Sequence, residues 1–325
     1  MTVGLHTFWA LVLEPLARAL RAREIVLAGG RDVELVRDLL TFGATVCVLA
    51  PQHGLDLDAL RSEFGDRFAS APGPSLGALP EDRELDLLLL EGDPNWFATR
   101  RALRLAEERA LAHDRRPPTI VVHGVDGPQA RRDQYLDPDA IPAAYRQPYA
   151  RRGVVPGQAE LAGDGLDAHL CNALVPGGER NGVRTAVEDF VRESDVAWKQ
   201  YDLHGAHGVS VLVTAEAVAD NAALSDVLDG LSDAETLRAW LERLEELRVG
   251  AELEAARLRA ELERASASAA PVTATPARAE RLSLELELAR DAQQRLQERF
   301  ELLAGELAQV RVERDRFEEL ARRSR

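Results

Sequence analysis

Lysine is almost absent from this 325-residue chain, where Lys199 stands alone among many arginines, a bias of genome composition that says nothing of function. Cysteine occurs twice, as Cys47 and Cys171, far apart and in unlike contexts. That excludes a disulfide framework and a cysteine zinc site, and fits a reducing cytoplasm. An excess of basic residues is also lacking: net charge is −15 and pI about 5.0. Phosphate-backbone binding needs a basic surface, so a nucleic-acid partner is excluded. No apolar run approaches the ~20 residues that span a bilayer. The first twenty residues lack a basic leader region and carry Glu14 within their apolar stretch, which predicts an amphipathic helix and not a signal peptide. What is there, 46% hydrophobic and 29% charged residues, suits a soluble chain of about two domains.

The segment Arg131 to Gly153, RRDQYLDPDAIPAAYRQPYARRG, has neither helical nor strand period. It holds three prolines, five arginines and three of the four tyrosines. A long irregular segment in a compact domain is usually functional or disordered. Tyrosine and arginine suit a loop over a site better than a disordered linker.

Around it, apolar runs alternate with helical patterns. Strands are predicted at Glu24–Ala28, Thr45–Ala50, Arg67–Ser70, Leu85–Leu90 and Thr119–His123, and helices at Asp32–Phe42, Leu55–Phe64 and Trp96–His113. Asn181 reads as the N-cap of a helix Val183–Ser194. Trp198–Leu203 and Val209–Thr214 read as a terminal hairpin across the sequence HGAHG, with His204 and His207 in a polar turn. Continuous apolar strands between helices imply an α/β, Rossmann-like doubly wound sheet ending in an antiparallel hairpin, over residues 1–218, with 124–180 as an irregular insert. Ligands of such sheets bind beyond the carboxyl ends of the strands, the end that carries Gly29, Gly30, Ala50, Glu91 and His123.

From about Ala219 the pattern becomes helical. Leu237, Leu241, Leu244 and Leu247 form one stripe, continued roughly by Ala251, Leu258, Leu262 and Ala265. A helical extension is expected over 219–265, a flexible linker over 266–278, where Pro271 and Pro276 fall, and a second helix over 279–325. In the last, Ala289, Ala292, Leu296, Leu303, Leu307, Val310 and Phe317 keep mostly three-four spacing, like a coiled coil that self-associates or binds a partner protein. A single solvated helix laced with charge pairs is the alternative.

Several segments resemble a bacterial class I S-adenosylmethionine-dependent methyltransferase family related to the macrocin O-methyltransferase and cephalosporin hydroxylase type. The family's fourth-strand motif IDGDHNWY stands here as LEGDPNWF, Leu90–Phe97. Its loop RRDLYYDPERIPEEFRQPYARRG matches Arg131–Gly153. Its segment LNPHLCNAL…GGPRNGVLTAVEDFL matches LDAHLCNALVPGGERNGVRTAVEDFV, Leu166–Val191. The resemblance covers about residues 5–215. It implies a methyltransferase sheet, S-adenosylmethionine as cofactor, a possible divalent metal, and O-methylation of a sugar or glycan acceptor in cell-envelope biosynthesis. It implies cofactor contacts at Gly29, Gly30 and Glu91, catalytic roles for His123, Glu91 and Asp93, and metal candidates Glu91 and Asp126. Arg131, Arg132, Tyr135, Arg146 and Tyr149 become acceptor-binding candidates. The arginines can equally pin the loop onto acids such as Asp133 and Asp137, and the tyrosines can pack it down.

The departures point the other way. The family's E-I-G-x-x-x-G turn reads Leu27-Ala28-Gly29-Gly30-Arg31-Asp32-Val33, without the acid and the second glycine. The ribose-binding acid after the second strand is Ala50. The family's histidine base is Pro94, and its fifth-strand His-Asp is His123-Gly124. Methyl transfer needs the cofactor held in line and a base or metal on the acceptor. The sequence therefore supports two expectations: a methyltransferase, or a catalytically inactive relative that recruits partners through its helical extension.

Overall fold

The computed structural model of the chain describes residues 4–30, 32–51, 55–73, 76–79, 83–163 and 165–268. The expected second helix, 279–325, and all but the first residues of the expected linker lie outside the described residues.

Seven strands form the central sheet: β1 (Glu24–Ala28), β2 (Thr45–Leu49), β3 (Phe68–Ala71), β4 (Leu87–Leu90), β5 (Thr119–His123), β6 (Trp198–Leu203) and β7 (Val209–Thr214). Their order is β6-β7-β5-β4-β1-β2-β3. The first five strands are parallel, and β7 runs antiparallel between β5 and β6. The fold is thus mixed α/β with a mostly parallel sheet. The first, fifth and hairpin strands have the predicted bounds, and the others differ by one or two residues. Edge strand β3 is shifted by one, to Phe68–Ala71, because only Phe68 is buried there and the apolar signal is weak.

Alternation within each strand divides the core. Ile25 and Leu27 point to one face and Val26 and Ala28 to the other. The second face is covered by α4 (Trp96–Leu111) and α5 (Val183–Glu193), through Leu103, Ala106, Val187 and Phe190. The first face takes α2 (Val33–Phe42), α3 (Leu57–Phe64) and a continuous helical stretch from Leu5 through α1 (Glu14–Leu20). That stretch begins as a 3₁₀ turn, passes through a π turn at Trp9–Leu13 and becomes α-helical before Arg21 ends it in the left-handed region. Leu5, Phe8, Val12, Leu13 and Leu16 are all buried, as the amphipathic reading predicts.

The core does not stop at 218. After β7 come α6 (Ala215–Asp220), α7 (Ala222–Gly230) and α8 (Ala234–Ser268). Leu224, Leu228, Trp240, Leu244 and Leu247 are buried in the same core as the N-terminal helices. Trp240 stacks on Phe8 with ring centroids 4.8 Å apart, and its indole N–H donates to the His204 carbonyl at 2.5 Å. The first half of the leucine stripe is therefore an inward face of this domain. α8 also continues through Ser266–Ser268, where the linker was expected, since small residues there do not break a helix.

The insert is not structureless. Gln134–Tyr135, Cys171–Ala173 and Tyr149–Ala150 form a small antiparallel sheet, and Gly153–Val154 pairs with Leu161–Ala162. Strands of two or three residues are too short to show a period. Tyr135, Ile141 and Cys171 make a small core of their own against Phe97.

Candidate functional site

The strand order reverses between β1 and β4, and a crevice is expected beyond their carboxyl ends. Here the ladder continues past both strands. The Ala28 carbonyl accepts the N–H groups of Glu91 (3.0 Å) and Gly92 (3.1 Å), and Gly29 N–H donates to Leu49 O (2.9 Å). Gly29 has φ +82°, and a Cβ on it would lie 2.1 Å from the Gly92 Cα. The glycine at this turn thus serves a backbone-to-backbone contact with the β4 loop. A Cβ on Gly30 would lie 2.4 Å from a Leu27 methyl. Leu27, before this turn, is wholly buried.

The N-terminal segment lies across the same place. Leu5 N–H donates to Glu91 Oε1 at 2.7 Å, and a Cβ on Gly4 would lie 2.4 Å from that oxygen. His6 Nε2 is 2.9 Å from Asp38 Oδ2, and its Nδ1 is 3.8 Å from Asp32, the cap of α2. Residues 4–8 therefore touch the tip of β4 and the start of α2. In a doubly wound domain, a helix start beside a glycine turn is the usual anion site. Glu91, the candidate cofactor acid, is engaged by the chain itself.

The end of β5 is enclosed as well. His123 Nε2 lies 3.2 Å from the Ala206 carbonyl, and its ring packs edge-on against Phe8 and His207 at 5.9 and 6.0 Å. This is the geometry of a satisfied strand-end histidine. The Asp126 carboxylate faces the hairpin turn, 2.9 Å from His204 Nδ1 and 3.3 Å from Gly205 N, with Arg184 at 3.4 Å. Among the described residues, no group of three or more His, Cys, Asp or Glu is arranged to hold a metal. Glu91 and Asp126, the metal candidates, are each engaged by a different part of the chain, Glu91 by the Leu5 N–H and Asp126 by the hairpin turn.

The acids beside the loop do come together. Asp133, wholly buried, accepts at Oδ1 from Trp96 N and from Gly182 N, each at 2.7 Å. One carboxylate oxygen thus caps the starts of α4 and α5, where helix dipoles favour negative charge. Its Oδ2 accepts from the Tyr135 hydroxyl at 2.8 Å, and that hydroxyl accepts from Gln147 N–H at 2.8 Å. Asp93 Oδ1 accepts from Leu136 N–H at 3.2 Å. Burial raises the pKa of Asp93 and Asp133 against these donors, and burial with the Asp133 charge raises that of Tyr135.

Asn181 is not the cap of α5. Its Oδ1 accepts from Asp133 N–H at 2.7 Å, and its Nδ2 donates to the Val175 and Gly177 carbonyls at 2.8 Å. Gly182 takes the cap position at φ +88°, where a Cβ would lie 2.5 Å from Arg132 N. The asparagine locks the loop and the glycine permits its close approach.

The acceptor candidates divide. Arg132 is buried and donates to the Ala173 and Ala159 carbonyls at 3.2 and 2.5 Å. Arg131 makes a two-pronged pair with Glu188, 2.6 Å at each prong, and Arg146 pairs with Asp139 at 3.0 Å. They pin the insert, though onto other acids than Asp133 and Asp137. Tyr135 is buried, while Tyr149 packs edge-on against it and stays partly exposed. Tyr145 stacks on Phe97 at 5.0 Å beside a shallow groove of about 320 Å³ that Trp96, Arg100, Arg101 and Arg104 also line. A cavity of about 260 Å³ lies at the opposite, amino end of β4 and β5, between Arg83, Arg109, Pro118 and Asn221.

The sequence reading missed Leu5, which acts through its backbone N–H and leaves no side-chain signal. It also missed Trp240, whose burial was legible only as one more apolar residue near the leucine stripe.

No family model matches the chain, and a search of curated proteins finds no match. Among solved structures, a Burkholderia thailandensis 1,6-didemethyltoxoflavin-N1-methyltransferase, with bound 1,6-didemethyltoxoflavin and S-adenosylhomocysteine, is similar over 61% of this chain and 72% of its own. At 14% identity and a TM-score of 0.35, that likeness carries no argument about the site.

Proposed function

We propose that the chain is a methyltransferase-like protein that keeps the sheet of the family it resembles but has closed its transfer site, and that it works as a partner-recruiting module. One observation carries this reading: the zipped contact of Gly29 with Gly92, over which the Leu5 N–H rests on Glu91. A cofactor held at a glycine turn needs that backbone surface for itself. The ribose-binding position is Ala50, the base position is Pro94, and His123 and Asp126 are bound up with the hairpin turn.

A second reading is favoured by the Gly29-Gly30 turn, Glu91 at the tip of β4 and the long matches in the insert. It is an S-adenosylmethionine-dependent O-methyltransferase acting on a sugar or glycan intermediate, with residues 4–8 leaving the strand ends before cofactor binds. Calorimetric titration of the full chain with S-adenosylmethionine and S-adenosylhomocysteine, with and without magnesium, separates the two. The recruiting reading expects no heat of binding up to millimolar ligand. Micromolar binding overturns it and makes the acceptor the next question. A thermal-shift series gives an independent check, since ligand at a hundred times its Kd adds about 2.7 kcal/mol of stability.

A further inference from the structure

α4 carries two adjacent rows of side chains at i, i+4 spacing: Trp96, Arg100 and Arg104 in one, Phe97, Arg101 and Leu105 in the next. With Tyr145 of the insert they line the groove of about 320 Å³. Tyr145 is the exposed ring among them, stacked on Phe97 at 5.0 Å and on Trp96 at 5.9 Å. The Arg180 guanidinium, from the turn before α5, lies 5.7 Å from the centre of the Trp96 ring and 5.6 Å from that of Tyr145. Gln147 fixes this turn against the insert, donating to the Arg180 carbonyl at 3.0 Å. The charges here are unequally matched. Arg100 and Arg104 share Glu193, and Arg104 also meets Glu107. Among the described residues, the side chains of Arg101 and Arg180 have neither an acid nor another hydrogen-bond partner, and Glu108 is the one carboxylate lining the groove. This stands out in a chain of net charge −15.

We propose that this groove binds a small anion that carries a planar ring, its ring against Tyr145 and its phosphate or carboxylate drawn to the guanidinium groups of Arg101 and Arg180. Guanidinium donors form a fixed fork that matches such oxygens, and an arginine without an acid keeps that fork for a ligand. Aromatic faces and guanidinium planes both accept a flat ring by stacking. The volume lies at the lower end of small-molecule sites, about 300–1,000 Å³, which suits one ring and one anionic group. None of residues 4–8, Gly29, Glu91 or Gly92 lines this groove, so a ligand here is compatible with either reading of the strand ends.

The test is calorimetric titration of the full-length chain with phenyl phosphate, beside inorganic phosphate and phenol as the anion and the ring alone. Two variants accompany the wild type. Arg101→Ala removes an exposed, unpaired side chain, and Arg180→Gly suits a backbone at φ +53°, so both are expected to keep the wild-type Tm. The expected result is a submillimolar Kd for phenyl phosphate, with each half of it at least tenfold weaker. Each variant is expected to weaken phenyl phosphate about tenfold, the effect of losing one charged hydrogen bond. No heat with phenyl phosphate up to millimolar concentration overturns the proposal. So does inorganic phosphate or phenol binding as tightly as phenyl phosphate, or unchanged binding in either variant, which would place the ligand elsewhere.

Discussion

The Tyr135 hydroxyl donates to Asp133 Oδ2 across 2.8 Å, and through that contact one carboxylate joins the insert to the starts of two helices. Replacing Asp133 with alanine leaves the N–H groups of Trp96 and Gly182 and the Tyr135 hydroxyl without their acceptor inside the protein. The expected loss is about 3–5 kcal/mol of unfolding free energy in urea titrations. Asp133→Asn keeps one acceptor oxygen and is expected to cost distinctly less. Equal losses in the two variants count against the capping role.

The same acids set a pH dependence. Burial raises the pKa of Asp93 and Asp133 above that of an exposed carboxyl. A raised folded-state pKa means that the neutral acid is favoured by folding. Its contribution is full below the unfolded value of about 3.9 and is lost as pH rises through the raised value. Over that window the wild type is expected to lose stability relative to Asp93→Asn and Asp133→Asn. Denaturant titrations at stepped pH check this: parallel stability curves for wild type and variants would count against it.

Two adjacent arginines are expected to differ. Arg131 pairs with Glu188 where both side chains are well exposed, so Arg131→Ala costs less than about 1 kcal/mol. Arg132 is buried and serves two carbonyls, and Arg132→Ala is expected to cost about 2–4 kcal/mol through lost bonds and packing. Comparable Tm values for the two would place both side chains in one role.

Gly29→Ala puts a Cβ 2.1 Å from the Gly92 Cα at φ +82°. A loss of about 2–4 kcal/mol is expected, since both strand ends must part. Were the turn open to a ligand in the folded protein, the same substitution would cost only its backbone strain, near 1 kcal/mol.

Trp240→Ala removes the stack on Phe8 and the bond to the His204 carbonyl, with an expected loss of about 3–5 kcal/mol in a single unfolding transition. A small early transition, with the rest of the protein unchanged, would mark α8 as a separate unit.

Four of the five parallel strands were legible because each is an apolar run buried on both faces, as at Leu87–Leu90, while edge strand β3 carries no such run. The hairpin had its glycine-rich turn. Burial of the N-terminal helices followed from an ordinary apolar face. The proposed closure of the site was half legible: Leu27, Ala50 and Gly124 depart from the motifs of the family the chain resembles, but do not show what stands at the strand ends. The Leu5 N–H is a backbone group that any residue but proline supplies. Asp133 reads in sequence as one more loop acid, and only the fold brings Trp96 and Gly182 to it. Asn181 misled because asparagine before a helical run usually caps it, whereas here the closest approach falls to Gly182.

Phe8 and Trp240 stack although roughly 230 residues separate them, a contact of high sequence order whose loop closure is slow. During synthesis the segment from Leu5 to Leu13 emerges early and stays without its partner until α8 follows. Until then a strip of leucine, valine and phenylalanine lacks the α8 side chains that cover it in the folded protein. Completion of the sheet is therefore not enough to close this core, because Trp240 must also have arrived.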